Sequence, residues 1–112
     1  MTQKLFDAAL AGEQSIFEDH KTLHPKVNWD SILDHDSNTL IAVAASKGKL
    51  HIIDYLVNDG ASVDLENGKG HCALYIAYHD GHPNTARGLI KHYQNAKLPL
   101  PLSKEELKKL RA

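Results

Sequence analysis

Three times along the chain a pair of residues led by alanine precedes a glycine by three positions: Ala8-Ala9-x-x-Gly12, Ala44-Ala45-x-x-Gly48 and Ala77-Tyr78-x-x-Gly81, at spacings of 36 and 33 residues. Self-similarity at such a period restricts the fold more than any other feature, because a unit of that size cannot bury its apolar face alone and must stack on its neighbours. The middle copy is the clearest. Leu40, Val43 and Ala44, then Leu50, Ile53, Leu56 and Val57, recur at helical spacing on either side of Ser46-Lys47-Gly48-Lys49. Gly48 and Gly60 stand where each helix should end in a left-handed residue, cheap only for glycine. Two short antiparallel helices follow. In the same register Leu89 and Ile90 of the third copy fall under Leu56 and Val57, and Val27-Asn28 of the first falls under Val63-Asp64.

The middle copy, "DSNTLIAVAASKGKLHIIDYLVNDGASVD", resembles an ankyrin repeat, whose pattern runs D-G-x-T-P-L-H-x-A-A-x-x-G-H-x-x-I-V-x-x-L-L-x-x-G-A-D-V-N. It keeps Asp36, Thr39, Ala44, Ala45, Gly48, Leu50, Ile52, Leu56, Gly60, Ala61 and Val63, with Asp64 where Asn is usual. The third copy keeps Gly70, Leu74, Ala77, Gly81, His82, Leu89 and Ile90; the first keeps mainly Ala-Ala-x-x-Gly and Val27-Asn28. The resemblance implies an all-α solenoid of helix-turn-helix repeats in a single domain over 1–112: repeats at about 3–35, 36–68 and 69–95, a linker at 96–102 and a C-terminal capping helix at 103–112. Three units are about the minimum for a stable stack.

Departures from the pattern set further expectations. The proline of T-P-L-H is replaced by Leu40 and Ala73, so the helix starts lose a preset φ. Tyr78 stands at the second alanine, and Tyr93 where a glycine should close the third unit, so that unit should be less regular, as terminal repeats are. The connection from Val27 to Thr39 is three residues longer than that from Val63 to Cys72, which enlarges the first finger and should tuck Ile32 and Leu33 against the stack. Pro99 and Pro101 make "NAKLPLPL" extended. In "LSKEELKKLRA", Ser103 and Glu106 form a capping box, Leu102 and Leu107 a hydrophobic staple, and Lys108, Lys109 and Arg111 suit the negative helix end. With Leu107 and Leu110 as its apolar residues, this helix should cap the last repeat; a mobile basic tail that captures a partner is the alternative.

Composition narrows the class. At 112 residues, 42% hydrophobic and 24% charged, the chain fits one small soluble domain. A net charge of -1 offers no global pull toward nucleic acid or anionic lipid, so neither is expected as a partner. Apolar runs such as Leu40 to Ala45 are too short for a membrane span, and "MTQKLFDAAL" lacks the apolar run of a signal peptide. The single cysteine, Cys72, suits a reducing compartment. The expected location is cytoplasmic, with the nucleus, or export without a cleavable signal, as alternatives. Charge is uneven: residues 1–36 carry three Lys against seven Asp or Glu, and residues 91–112 carry six Lys or Arg against two Glu. Ordinary solvated surface accounts for this; weak head-to-tail self-association of a monomer is the alternative.

Eight histidines invite a metal reading. His79 and His82 in "HDGH" have H-x-x-H spacing, with His71 upstream, but Gly81 interrupts the helix between them, and His82 occupies a position where the ankyrin pattern favours a loop-bracing histidine. His20, His24, His35, His51 and His92 follow no ligand spacing. No metal and no cofactor are expected. Cys72 takes the place of the pattern's threonine at a helix start, which suits a small buried residue better than a nucleophile. No phosphate loop, G-x-S-x-G elbow or paired-carboxylate site is present, so an enzyme is not expected.

A non-enzymatic protein-binding module remains, an adaptor or a stoichiometric inhibitor, with a metal-responsive His-rich protein and a self-associating stack as alternatives. The ankyrin resemblance implies a concave binding face made of finger tips and first helices. It maps residue by residue onto His35, Asp36, Asn38, Ser46 and Lys47 of the second copy, Lys69, His71, Tyr75, Tyr78, His79 and Asp80 of the third, and Leu10 and Ala11 of the first. Trp29, in the enlarged finger, joins Tyr75 and Tyr78 as a candidate anchor because aromatic side chains bury large rigid areas at small entropic cost. Plugging the finger is the alternative for Trp29, and a contact with the proline-containing tail is the alternative for Tyr78.

Overall fold

The computed structural model describes residues 2–111. Their backbone forms α1 (Thr2–Ala11), α2 (Gln14–Leu23), a 3-10 turn (Trp29–Ser31), α3 (Leu40–Ser46), α4 (Leu50–Asn58), α5 (Ala73–His79), α6 (Pro83–Asn95) and α7 (Lys104–Arg111). The first six helices form three hairpins. α1, α3 and α5 pack side by side more extensively than α2, α4 and α6 do. The molecule measures 43 × 26 × 21 Å. Alanine explains the close row: Ala8, Ala9, Ala44, Ala45 and Ala77 are all buried, and larger groups such as Phe17, Ile52, Ile53, Leu56, Leu74 and Leu89 fill the space between the two rows.

The repeat seen in the sequence returns as a repeated hydrogen bond. The N–H after each hairpin glycine donates to the equivalent alanine carbonyl: Glu13 to Ala8, Lys49 to Ala44 and His82 to Ala77, each at 2.9 Å. At Gly48 glycine is required twice over. Its φ is +69°, and a Cβ there would sit 2.7 Å from His82 Nδ1. The lost proline is compensated in the second unit, where the Thr39 hydroxyl accepts from Ala42 N at 3.1 Å and caps α3. Cys72, at the equivalent position before α5, is buried and provides no such cap.

The third unit is regular but longer. α6 has 13 residues against 9 in α4, so the left-handed closing residue moves from the position of Gly60 to Lys97, with φ +58°. The closing bonds are alike: Ala61 N to Leu56 O at 3.0 Å, Leu98 N to Tyr93 O at 2.9 Å. Tyr93 is thus interior to the helix and buried. In the enlarged finger Ile32 packs on the core, but Leu33, expected to do the same, is 47% exposed. Its backbone bridges to Thr39, and consecutive residues of an extended segment face opposite ways.

Residues 96–103 are non-helical, with Leu98 and Leu100 against the core. The capping box of α7 forms, Ser103 N donating to Glu106 Oε1 at 2.9 Å and Glu106 N to Ser103 Oγ at 3.2 Å. Leu102 and Leu110 are buried against the last unit, and the Arg87 guanidinium on α6 donates to Leu110 O at 2.7 Å. α7 therefore covers the end of the stack as expected. Its expected extension to Ala112, and the role of the Arg111 side chain, lie outside the described residues. Among the described residues no helix is long and apolar enough to cross a membrane.

Candidate partner-binding face

The finger tips are held rigid from within. Asp34 accepts from the backbone N–H groups of Asp36 and Asn38, both at 2.9 Å, and from Asn38 Nδ2 at 3.2 Å. Burial pushes its carboxyl up, but these hydrogen bonds override that and hold it below the usual carboxylate range. Asn67 mirrors it in the next finger, accepting from Lys69 N and His71 N. The two fingers are tied together by Asn67 Nδ2 donating to Asn38 Oδ1 at 2.8 Å and by Gly68 N donating to Asp36 O at 3.0 Å. His35, Asp36 and Lys69 stay exposed on this braced edge, whereas both polar ends of the Asn38 side chain are engaged within the chain.

Between finger tips and first helices runs a groove of about 420 Å³, lined by Phe6, Leu10, Ala42, Val43 and Ile76 on the helix side and by Asp34, His35, Asn38, Asn67, Lys69 and His71 on the finger side. Leu10 is 40% exposed. Ser46 lines the groove as well, but its hydroxyl donates to Val43 O at 2.6 Å and its carbonyl faces His82 Nε2 at 3.1 Å. Lys47 and Asp80 are the exposed capping residues that end α3 and α5.

Along α5 the aromatic candidates form one ladder. The ring centroids of His71 and Tyr75 are 4.2 Å apart and stacked, those of Tyr75 and His79 are 4.1 Å apart, and Tyr78 meets His79 edge-on at 5.1 Å. His79 Nε2 also lies 3.6 Å from Glu106 Oε2, so α7 braces the far end of the ladder. The Glu106 carboxyl is held below its ordinary value, first by the Ser103 backbone N–H and further by His79 and Lys109. Tyr78 is half-buried, and the ring it meets is that of His79 on its own helix. His71 and His79 both lie against the Tyr75 ring and His82 is committed to Ser46 O; among the described residues no three His, Cys, Asp or Glu groups come together as a metal set.

Trp29, a candidate anchor with plugging the finger as its alternative, takes the plugging position: it is 3% exposed, edge-on to Phe17 at 5.8 Å, with Nε1 donating to Asp59 Oδ2 at 2.8 Å. Asp59 also pairs with Lys21 at 3.1 Å, and neighbouring Asp30 accepts from both Ser62 N and Ser62 Oγ. An enlarged finger needs a strut at its base, and Trp29 provides it. Sequence reasoning passed over Asn67, the central brace of the second finger; the Asn67-Gly68 dipeptide, a strong turn signal, is the cue that could have found it.

A family model for ankyrin repeats in three copies matches residues 5–99. The Caenorhabditis elegans ankyrin repeat and KH domain-containing protein mask-1 is 33% identical over 61 residues, which cover 54% of this chain and 2% of that much longer protein. A chain in the structure of the Bdellovibrio bacteriovorus predatory endopeptidase Bd0816 in complex with immunity protein Bd3460 is similar with a TM-score of 0.70 and 26% identity, over 78% of this chain and 44% of that one. The present chain thus spans less than half the length of either relative. With the helix hairpins, their shared alanine–glycine turn and the family match all falling in one register, the chain belongs to the ankyrin-repeat family.

Proposed function

We propose that the three units and α7 act as one non-enzymatic binding domain that holds a protein partner on the concave face, as an adaptor or a stoichiometric inhibitor. The observation that carries this reading is the ladder of His71, Tyr75 and His79, three rings in contact beside a groove whose polar edge is braced before any partner arrives. Rings already in contact lose little freedom on binding, and rigid fingers lose none, so the usual ordering cost is reduced. Ankyrin membership supports the class of function, and the similar chain from a structure titled as a protein–protein complex supports a protein as the partner. His35, Asp36, Lys47, Lys69 and Asp80 supply the exposed rim, with the half-buried Tyr78 beside them. Asn38 and Ser46 shape the groove, and Trp29 holds the enlarged finger at its base.

The test is quantitative affinity capture from the native cell with the full chain and a Tyr75→Ala/His79→Ala variant, each checked for an unchanged circular dichroism spectrum. Loss of a buried aromatic anchor costs about 2 kcal/mol or more, a weakening of roughly thirtyfold, so the direct partner should vanish from the variant capture. An unchanged set of captured proteins at unchanged affinity sinks the proposal.

A further inference from the structure

The eight histidines divide sharply by what their rings touch. His51 lies on Gly12 O, His82 on Ser46 O and His92 on Asp54; His71 and His79 stack on Tyr75; His35 faces Asp36. His20 and His24 are the remaining two. Their rings lie with centroids 4.6 Å apart, and neither ring has a hydrogen-bond or ion-pair partner among the described residues. Contrary to the expectation from spacing, a separation of four is one that histidine pairs use at zinc sites; here His20 lies in the last turn of α2 and His24 caps its C-terminal end.

We infer that His20 and His24 form a two-imidazole site for a divalent transition metal ion of the copper, nickel or zinc type at the open end of the stack, with water completing the coordination. Metal–nitrogen bonds of about 2.0–2.1 Å require two ring nitrogens to converge on one point, which two neighbouring rings free of other partners can do by χ rotation. The two rings line a groove of about 270 Å³ with Asp19, Lys4, Leu5 and Leu23, open enough to admit a hydrated ion. Asp19 lies beside the rings on α2 and supplies negative charge at the rim, whereas Lys4 on α1 opposes a cation. His20 also lies 5.5 Å from Trp29, the single tryptophan, so an ion held there reports itself through indole fluorescence.

The experiment titrates copper(II), and separately zinc(II), into the tag-free full chain at pH 7.5, following Trp29 emission and stoichiometry by calorimetry. Copper should quench more than half the emission and saturate at one ion per chain, with half-saturation below about 100 µM. A metal ion binds the deprotonated ring, so binding should weaken at pH 5.5. His24→Gln, at the exposed end of the helix where folding is undisturbed, should weaken binding at least tenfold. His35→Ala and His79→Ala should leave the quenching unchanged. No saturable quenching, or quenching that His24→Gln leaves intact, overturns the inference. Partner capture on the concave face is a separate measurement, so the two outcomes do not depend on each other.

Discussion

Replacing Trp29 separates a strut from an anchor. The ring is 3% exposed, packs edge-on against Phe17 and near His20, and its indole N–H donates to a carboxylate, that of Asp59. Trp29→Ala removes both the packing and the bond and should cost about 3–5 kcal/mol. Trp29→Phe keeps most of the apolar ring and removes the donor. A hydrogen bond to a charged group contributes about 1.5–3 kcal/mol, and because the Asp59 side chain is 27% exposed and Lys21 remains beside it, the lower part of that range, about 1.5–2 kcal/mol, is expected. A domain of this size is held by about 5–15 kcal/mol in all, so the alanine variant should lose a large fraction of its stability and the phenylalanine variant a measurable one. Urea unfolding followed by circular dichroism, with unchanged slope, gives both numbers. If each variant shifted stability by less than about 0.5 kcal/mol while abolishing partner capture, the burial argument would fail and Trp29 would be an interface residue after all.

Two further outcomes follow from the geometry. Gly48→Ala forces an L side chain into φ +69° and against His82 at 2.7 Å, so it should destabilise by about 1–3 kcal/mol and free His82 from Ser46 O, seen as a shift of the His82 ring resonances by NMR. Asp59 is held below its ordinary value first by the Trp29 indole and then by Lys21, and Asp34 is held down by the finger N–H groups, so both stabilise the fold fully above the unfolded carboxylate value near 4 and less as pH falls through their lower folded values. A pH–stability curve should therefore decline below about pH 4 in the parent and more shallowly in Asp59→Asn, which starts from a lower plateau; parallel curves would refute the assignment.

The sequence revealed most where one residue type answers one backbone need. Gly48 and Gly60 marked true helix ends, Ser103 and Glu106 a true capping box, and the alanines a true close row, since each is a local requirement read without knowing the neighbours. Reading failed where tertiary pairing decided. Tyr93 sits under the glycine position of the previous unit and suggested a broken repeat, but a longer α6 moves the left-handed residue to Lys97, which no local rule favours. Leu33 looked like a core residue until its bridge to Thr39 turned it outward.

The same division explains the site. The exposure of His35, Asp36 and Lys69 was readable because the repeat register places them at finger tips. What register does not dictate is which of these side chains are consumed internally. Asn38 looks from the sequence as available as His71, yet its amide bridges Asp34 to Asn67, whereas His71 gives its backbone N–H to Asn67 and leaves its ring to stack on Tyr75. A finger of polar residues must satisfy its own backbone first, and only the groups left over can recognise anything else. On this chain those are the rings of α5 and the charged tips, while Trp29, the residue with the largest area to offer, is used to hold the enlarged finger in place.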